Sequence, residues 1–221
     1  MKTISQVVSW VMMPILMPIY GLILVMFTPS QPINWADANS LFTLIDYNKY
    51  AILTYFFFFT VLIPGIMYLV LMNRNVIQTP QLDNRSERTT PMILMVIFCL
   101  ALFYILISSK AVLPKYLYGL SLSGALVIGI FTYVNKYMKV SLHATGVGIL
   151  TGFVFAYVSE QIYFQLWILV VVILTSGIVL SSRLFLEKHT PKELIVGYFF
   201  SLFTTFVLNT YFPMELIKKL I

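Results

Sequence analysis

Seven long apolar stretches dominate the chain, and short polar segments separate them. They cover residues 7–27, 50–72, 92–108, 117–134, 144–158, 163–180 and 194–211. A helix needs about 20 apolar residues to cross the hydrocarbon core of a bilayer. Backbone polar groups inside that core must be paired within the segment, which a helix achieves. The pattern therefore predicts an all-α, multi-pass transmembrane helical bundle of about six to seven helices.

Two of the predicted helices contain prolines, which remove a backbone donor from a helix interior. Pro14 and Pro18 lie in the first stretch, and Pro64 lies in the second. A bundle can accommodate such kinks because neighbouring helices pair the freed backbone groups. The two prolines of the first stretch would also suit a re-entrant or interfacial helix, so this stretch has two interpretations.

Composition agrees with a membrane protein and excludes several other classes. Hydrophobic residues make up 60% of the 221 residues, charged residues only 10%, and the mean hydropathy is +0.91. Soluble domains carry roughly 25% charged residues, and disordered chains carry still more. A single cysteine, Cys99, excludes a disulfide scaffold. The length leaves room for one membrane domain, residues 1–221.

The net charge of +6 comes from basic residues in the short polar segments between the apolar stretches. In that setting, lipid head groups or phosphorylated substrates are expected partners, and nucleic acid is not. Each membrane crossing changes the side on which the chain emerges. The loops 73–91, 135–143 and 181–193 are therefore predicted on the same side as the N-terminus, and the remaining loops and the C-terminal tail on the other.

Both histidines of the chain, His143 and His189, fall in these same-side loops, together with Arg85, Arg88 and Arg183. Histidine transfers protons near neutral pH, and the arginine fork matches phosphate oxygens. This combination of side chains favours phosphate chemistry. Clusters with the spacing of metal ligands are not apparent in the sequence, and no cofactor is expected.

Glu193 follows His189 by four residues, which is one helical turn. Its carboxylate could accept a hydrogen bond from one imidazole nitrogen and leave the other nitrogen free to attack phosphorus. His143 could then protonate the leaving group, and the helix N-terminus after Ser141 could bind phosphate. Two structural alternatives stay open. The segment 190–193 also has the pattern of a helix capping box, and His143 could be an interfacial residue bonded to a neighbouring helix.

The polar loops resemble the three signatures of the type 2 phosphatidic acid phosphatase superfamily. Residues 182–193 carry Ser-Arg, five residues, His, three residues and Glu, and the third signature differs only in ending with Asp. Residues 140–143, Val-Ser-Leu-His, are similar to the second signature, Pro-Ser-Gly-His. Residues 83–91 are loosely similar to the first, which is Lys, six residues, Arg-Pro. The resemblance spans about half of the chain and assigns residues 73–200 to a catalytic core that follows N-terminal helices in 1–72.

The resemblance implies a role for each matching position. His189 would be the nucleophile that becomes phosphohistidine, Glu193 would orient it, and His143 would be the general acid. Phosphate would be bound by Ser141, Arg183 and Arg88.

Three departures from the signatures accompany these roles. Glu193 is one methylene longer than the family's Asp, and Val140 and Leu142 replace the Pro and Gly of the second signature. Gln81 occupies the position of the family's lysine, and we expect Arg85 to substitute for that lysine.

The expected function is that of a membrane lipid phosphatase that works without a metal. Its substrate would be a lipid phosphate monoester or diphosphate, such as phosphatidic acid, phosphatidylglycerol phosphate, undecaprenyl diphosphate or a lipid A phosphate. A lipid-to-lipid phosphotransferase would use the same residues. A non-catalytic membrane protein, such as a small transporter or an assembly subunit, would use the loop charges only to set topology.

Two arguments about orientation disagree. The motif side holds nine basic residues against five on the other side, which by the positive-inside rule makes it cytoplasmic. Without Arg85, Arg88 and Arg183, which are expected to bind substrate, the count is six against five and decides nothing. Many bacterial members of the resembled family act on the outer face of the inner membrane. We therefore expect a bacterial inner-membrane protein with its site on the periplasmic face.

Overall fold

A computed structural model describes residues 2–33, 40–78, 82, 84–109 and 113–215 of the chain. In this part of the chain, seven helical spans are long and apolar enough to cross a membrane, which confirms the all-α bundle and fits a multi-pass membrane protein. The spans are Lys2–Phe27, Asp46–Asn73, Ser86–Ser108, Lys115–Val134, Leu142–Ser159, Trp167–Phe185 and Pro191–Thr210. Gln81, at the position of the family's lysine, lies outside the described residues.

The helices are numbered here in chain order. They are α1 (Lys2–Val11), α2 (Met17–Phe27), α3 (Asp46–Phe57), α4 (Ile63–Asn73), α5 (Thr89–Ser108), α6 (Lys115–Val134), α7 (Leu142–Ser159), α8 (Trp167–Phe185) and α9 (Pro191–Thr210). Short 3₁₀ turns precede α2 and α5, at Pro14–Leu16 and Ser86–Arg88, and a π-helical turn, Phe58–Leu62, joins α3 to α4. Two short strands, β1 (Ser30–Pro32) and β2 (Gln161–Phe164), pair in antiparallel fashion.

The first span is broken into α1 and α2, and Pro14 explains the break. A proline disfavours the helical conformation in the residue before it, and Met13 is extended, with ψ of 139°. Pro14 also has no N–H to donate to the carbonyl oxygen four residues earlier. The backbone hydrogen bonds of α1 therefore end with that from Met12 N to Val8 O, at 2.9 Å. The second proline, Pro18, lies in the first turn of α2, where a missing N–H costs nothing.

The prediction for 163–180 is wrong at its start. Tyr163 and Phe164 belong to β2, and α8 begins only at Trp167. The apolar run does not reveal this strand, because its hydrogen-bonding partner β1 lies in a distant part of the sequence. At its other end α8 continues to Phe185, so Arg183 lies in the last turn of a helix and not in the loop 181–193.

The helix α7 lies at the centre of the bundle and packs most extensively against α9. Glycines permit this approach: a Cβ atom added at Gly148 would lie 2.4 Å from Tyr198 O, and one at Gly152 would lie 2.3 Å from Leu202 O. Without side chains at these positions, the two backbones come into direct contact. Because His143 begins α7 and His189 precedes α9, this packing also sets the distance between the two histidines.

A half-buried ion pair connects three helix termini at the end of the bundle opposite to the histidines. Lys115, at the start of α6, donates to Glu160 Oε1 at 2.5 Å and to the carbonyl oxygen of Thr210 at 2.8 Å. The hydroxyl of Tyr116 donates to the other carboxylate oxygen of Glu160. These bonds hold α6, α7 and α9 together, and they give Lys115 a structural role beyond that of a basic residue at a membrane surface.

Candidate functional site

The site is built at one end of the bundle, from the starts of α5, α7 and α9 and the ends of α6 and α8. Arg88 lies where the 3₁₀ turn meets α5, and it is only 3% exposed. Its Nε donates to Leu82 O at 2.8 Å, and its Nη1 donates to Val140 O at 2.9 Å. The second bond connects the loop before α5 to the loop before α7. The Arg88 guanidinium is thus fixed by backbone acceptors on two sides.

Ser141 begins α7 as its N-cap residue. Its hydroxyl accepts a hydrogen bond from Ala144 N at 3.4 Å, and its side chain is fully buried. An N-cap serine satisfies one of the backbone N–H groups that lack an acceptor in the first turn. The helix N-terminus predicted after Ser141 is therefore present, next to the carbonyl of Val140 that Arg88 holds.

Asn135 is a site-forming residue that the sequence analysis did not identify. It is buried at the C-terminus of α6, and its Nδ2 donates to the carbonyl oxygen of Arg85 at 2.9 Å. The available signal was a lone amide immediately after an apolar stretch, which is typical of a helix end. By this bond, Asn135 fixes the loop that leads to Arg88.

His189 and Glu193 make the expected hydrogen bond, with 3.0 Å between Nδ1 and Oε2. His189 precedes the helix, however, and Thr190 is the N-cap of α9. The capping box is also present: Glu193 N donates to Thr190 Oγ1 at 3.4 Å, and Thr190 N donates to Glu193 Oε2 at 3.1 Å. The histidine bond is therefore made by helix-capping geometry, and not within one turn of a helix.

One carboxylate oxygen of Glu193 serves both roles. Oε2 accepts from the imidazole of His189 and from the backbone N–H of Thr190. The two roles do not need different oxygens, because each carboxylate oxygen carries two acceptor positions. Since the carboxylate only accepts, Nδ1 of His189 carries the hydrogen, and Nε2 keeps a lone pair in the neutral ring.

Burial lowers the pKa of His189 to about 4 from its ordinary value of 6.5. The hydrogen bond to Glu193 opposes this shift, and the positive charges of Arg88 and Arg183 add to it. The imidazole is therefore neutral at pH 7, with its lone pair available. The side chain of His189 is 2% exposed, which agrees with burial as the main cause.

His143 lies in the first turn of α7, within electrostatic range of Arg88, Arg183 and His189. Its Nε2 is 3.0 Å from the carbonyl oxygen of Ser9, in α1. A carbonyl oxygen only accepts, so Nε2 carries a hydrogen. Arg183 also contacts Ser9: its Nη1 donates to the Ser9 hydroxyl at 3.2 Å.

The fold thus brings together His143, His189, Glu193, Arg88 and Arg183. Ser141 precedes His143 by two residues, but its side chain is fully buried and caps the N-terminus of α7.

Arg85 stands apart from this group. Its side chain is exposed, and its backbone carbonyl makes the bond to Asn135. The substitution of Arg85 for the family's lysine stays a prediction.

Ser9 is a further contact residue that apolar periodicity does not reveal, although the Met13-Pro14 pair that frees its carbonyl is visible in the chain. Within the described residues, no group of three or more His, Cys, Asp or Glu side chains is placed to hold a metal ion. Comparisons of the chain with models of protein families, with curated proteins and with solved structures give no significant match.

Proposed function

We propose that the protein is a membrane lipid phosphatase that hydrolyses a lipid phosphate monoester or diphosphate through a phosphohistidine on His189. The observation that carries this proposal is the bond from His189 Nδ1 to Glu193 Oε2 in a buried, positively charged surrounding. The bond orients the ring with the lone pair on Nε2, while burial and the charges of Arg88 and Arg183 keep the ring neutral. A carboxylate-oriented nucleophile of this kind can attack phosphorus.

The chemistry proceeds in two displacements. In the first, His143 reacts as the imidazolium: the lone pair of His189 Nε2 forms a bond to phosphorus, the bond from phosphorus to the leaving oxygen breaks, and that oxygen takes the Nε2 proton of His143, whose ring becomes neutral. In the second, the oxygen of a water molecule forms a bond to phosphorus, the bond from phosphorus to His189 Nε2 breaks and returns its electron pair to that nitrogen, and His143 Nε2 takes a proton from the water. The products are the dephosphorylated lipid and inorganic phosphate, and both histidines return to their starting forms.

Arg88 and Arg183 supply the positive charge that a transferring phosphoryl group needs. Phosphoryl transfer depends mainly on positioning and on stabilising charge on the equatorial oxygens. Both guanidinium groups act on His189 electrostatically. Each is almost fully buried, so its charge is poorly screened by water.

The substrate would be phosphatidic acid, phosphatidylglycerol phosphate, undecaprenyl diphosphate or a lipid A phosphate. Its apolar tail would stay in the bilayer while its head group meets the site at the end of the bundle. We place the protein in a bacterial inner membrane with this end on the periplasmic face. Labelling of a cysteine placed at Lys139 from the cytoplasm alone would contradict that orientation.

The test is release of inorganic phosphate by the detergent-purified protein from these lipids, in the presence of EDTA. We expect release by the wild-type protein, none by His189→Ala, and wild-type rates for Lys192→Gln, a change at an exposed position of α9. No release from any lipid by monodisperse wild-type protein would refute hydrolysis. Label from the substrate phosphate that appears in another lipid would instead support the phosphotransferase.

A further inference from the structure

Ser9 makes two hydrogen bonds with residues of the site. Its carbonyl oxygen accepts from His143 Nε2 at 3.0 Å, and its hydroxyl oxygen accepts from Arg183 Nη1 at 3.2 Å. The same hydroxyl donates its own hydrogen to Ser5 O at 2.9 Å, which leaves its lone pairs directed to Arg183. We call these two bonds to His143 and Arg183 the Ser9 contact.

The Ser9 contact follows from the break between α1 and α2. The last four carbonyl oxygens of a helix have no partner within it. Because Met13 is extended, its N–H does not donate to Ser9 O, four residues earlier, and Ser9 O is one of these oxygens. The C-terminus of a helix also carries partial negative charge, which favours a neighbouring arginine or a protonated histidine nitrogen.

The two oxygens of Ser9 therefore accept hydrogen bonds from His143 Nε2 and Arg183 Nη1, the donors that a phosphate would use. On the function proposed above, His143 Nε2 must reach the leaving oxygen of the substrate, and Arg183 must reach the phosphoryl oxygens. Neither Nε2–H of His143 nor this N–H of Arg183 can point at the substrate while it points at Ser9. The substrate phosphate and α1 compete for the same donors.

The surroundings of α1 allow it to move away. In α1, only Ser5 is buried, and the large apolar side chains Ile4, Val7, Trp10 and Val11 are each at least 50% exposed. In a membrane, this apolar face would contact lipid. The helix is separated from α2 by the extended residue Met13 and packs mainly against α8. Separation of α1 from α8 would therefore uncover the site toward the bilayer.

We propose that α1 is a lid that closes the site through the Ser9 contact, and that a lipid-borne phosphate displaces it by taking the hydrogen bonds of His143 and Arg183. This inference rests on the proposed function, since it assumes that the two residues receive a phosphate. The described structure is then the closed, resting form. Binding of phosphate is coupled to opening because a ligand favours the form that it binds.

Two substitutions weaken the Ser9 contact in different ways. Ser9→Ala removes the oxygen that Arg183 bonds. Pro14→Ala removes the proline that disfavours a helical Met13, so that the helix can continue and Met13 N can donate to Ser9 O. Ser5→Ala, on the same face of α1, and Pro18→Ala, in the first turn of α2, are the matched controls.

The experiment measures binding of inorganic phosphate to each full-length protein in detergent by calorimetry, with amide hydrogen exchange of residues 2–11. We expect Ser9→Ala and Pro14→Ala to bind phosphate about three- to tenfold more tightly than wild type, because less of the protein is held closed. The controls should bind as wild type does. Saturating phosphate should accelerate exchange in residues 2–11 of the wild-type protein.

Two results would overturn the lid. Equal or weaker phosphate binding by both Ser9→Ala and Pro14→Ala would show that the Ser9 contact does not compete with phosphate. Unchanged exchange in residues 2–11 at saturating phosphate would show that α1 stays in place. Either result leaves the proposed phosphatase standing, whereas absence of phosphate binding by every form would overturn both proposals together.

Discussion

The guanidinium of Arg88 donates a hydrogen bond from Nη1 to the carbonyl oxygen of Val140, at 2.9 Å, and so joins the loops before α5 and α7. Val140 immediately precedes Ser141, the N-cap of α7, and His143 follows in the first turn. One buried side chain therefore supports the backbone from which the proposed general acid projects. Arg88 has a structural role in addition to its proposed role in binding phosphate.

Arg88→Lys should lower both stability and activity. A lysine amine cannot reproduce the fork geometry that bonds Leu82 O and Val140 O together. A lost hydrogen bond to a charged group costs about 1.5–3 kcal/mol. We expect a lower unfolding temperature. We also expect kcat/KM to fall at least about tenfold, because a displaced charge would stabilise the transferring phosphoryl group less well. Arg74→Lys, at an exposed position, is the control, and wild-type activity of Arg88→Lys would contradict the assignment.

Glu193→Gln should separate the two roles of Glu193. Glutamine can complete a capping box, so the free energy of unfolding should change by less than about 1 kcal/mol. Without the carboxylate, the hydrogen on His189 Nδ1 is no longer fixed, and kcat should fall by roughly 10²–10⁴-fold, as for other carboxylate-oriented histidines. Thr190→Ala should do the reverse, with about 1 kcal/mol lost in stability and a smaller loss of kcat. Equal losses of kcat in the two variants would refute this division of roles.

On the acid side, the rate should fall with a midpoint near pH 4 and not near pH 6.5. His189 must be neutral to attack, and burial holds its pKa at about 4, so protonation removes the nucleophile only below that pH. His143 must be protonated on both ring nitrogens to donate, and the negative charge of a bound phosphate favours that form. The alkaline limb is therefore expected from His143 in the substrate complex, and the profile should be bell-shaped. Rates measured from pH 3.5 to pH 9 test this, and an acid midpoint near 6.5 would indicate a solvated imidazole.

The same shift makes stability depend on pH. Between pH 6.5 and pH 4 the unfolded state protonates His189 while the folded state does not. The unfolded state then binds more protons, so stability should be fully present above pH 6.5 and should decrease as the pH falls toward 4. Thermal unfolding across this range measures the slope, and His189→Gln should reduce it. An unchanged slope in that variant would assign the dependence to other groups.

Gly152→Ala should displace α9 from α7. The added Cβ would lie 2.3 Å from Leu202 O, a backbone atom that cannot rotate away. Overpacking of this kind costs about 1–3 kcal/mol. Because the two helices carry His143 and His189, we also expect a loss of activity beyond the loss of folded protein. Gly177→Ala, which meets nothing within 4 Å, should be neutral or slightly stabilising by thermal unfolding. Equal stability of the two variants would contradict the packing argument.

Glu160→Gln should destabilise the protein without changing the chemistry. The substitution leaves the ammonium of Lys115, 13% exposed, without its ion-pair partner. Removing one partner from a buried pair costs up to about 3–5 kcal/mol, and partial exposure of this pair reduces that cost. Unfolding temperature should fall, while kcat measured well below it should equal that of wild type. A large loss of kcat with normal stability would connect this end of the bundle to the reaction.

Some features of the site followed directly from local sequence. Seven apolar stretches sufficed to predict seven membrane-crossing helices, because helix formation in a bilayer depends on length and polarity alone. The segment 190–193 predicted its capping box because all of the contacts of that box lie within one helical turn. The spacing of His189 and Glu193 likewise predicted the hydrogen bond between them.

Contacts between distant segments were decided only by the tertiary structure. Ser9, Asn135 and the strand at Gln161–Phe164 gain their roles from partners far away in the chain, to which apolar periodicity is insensitive. The close approach of α7 to α9 sets where the two histidines lie. The sequence determined the helices and the local hydrogen bond of His189, because short-range interactions specify both. Tertiary packing decided which groups meet His143, because that depends on how separate helices pack together.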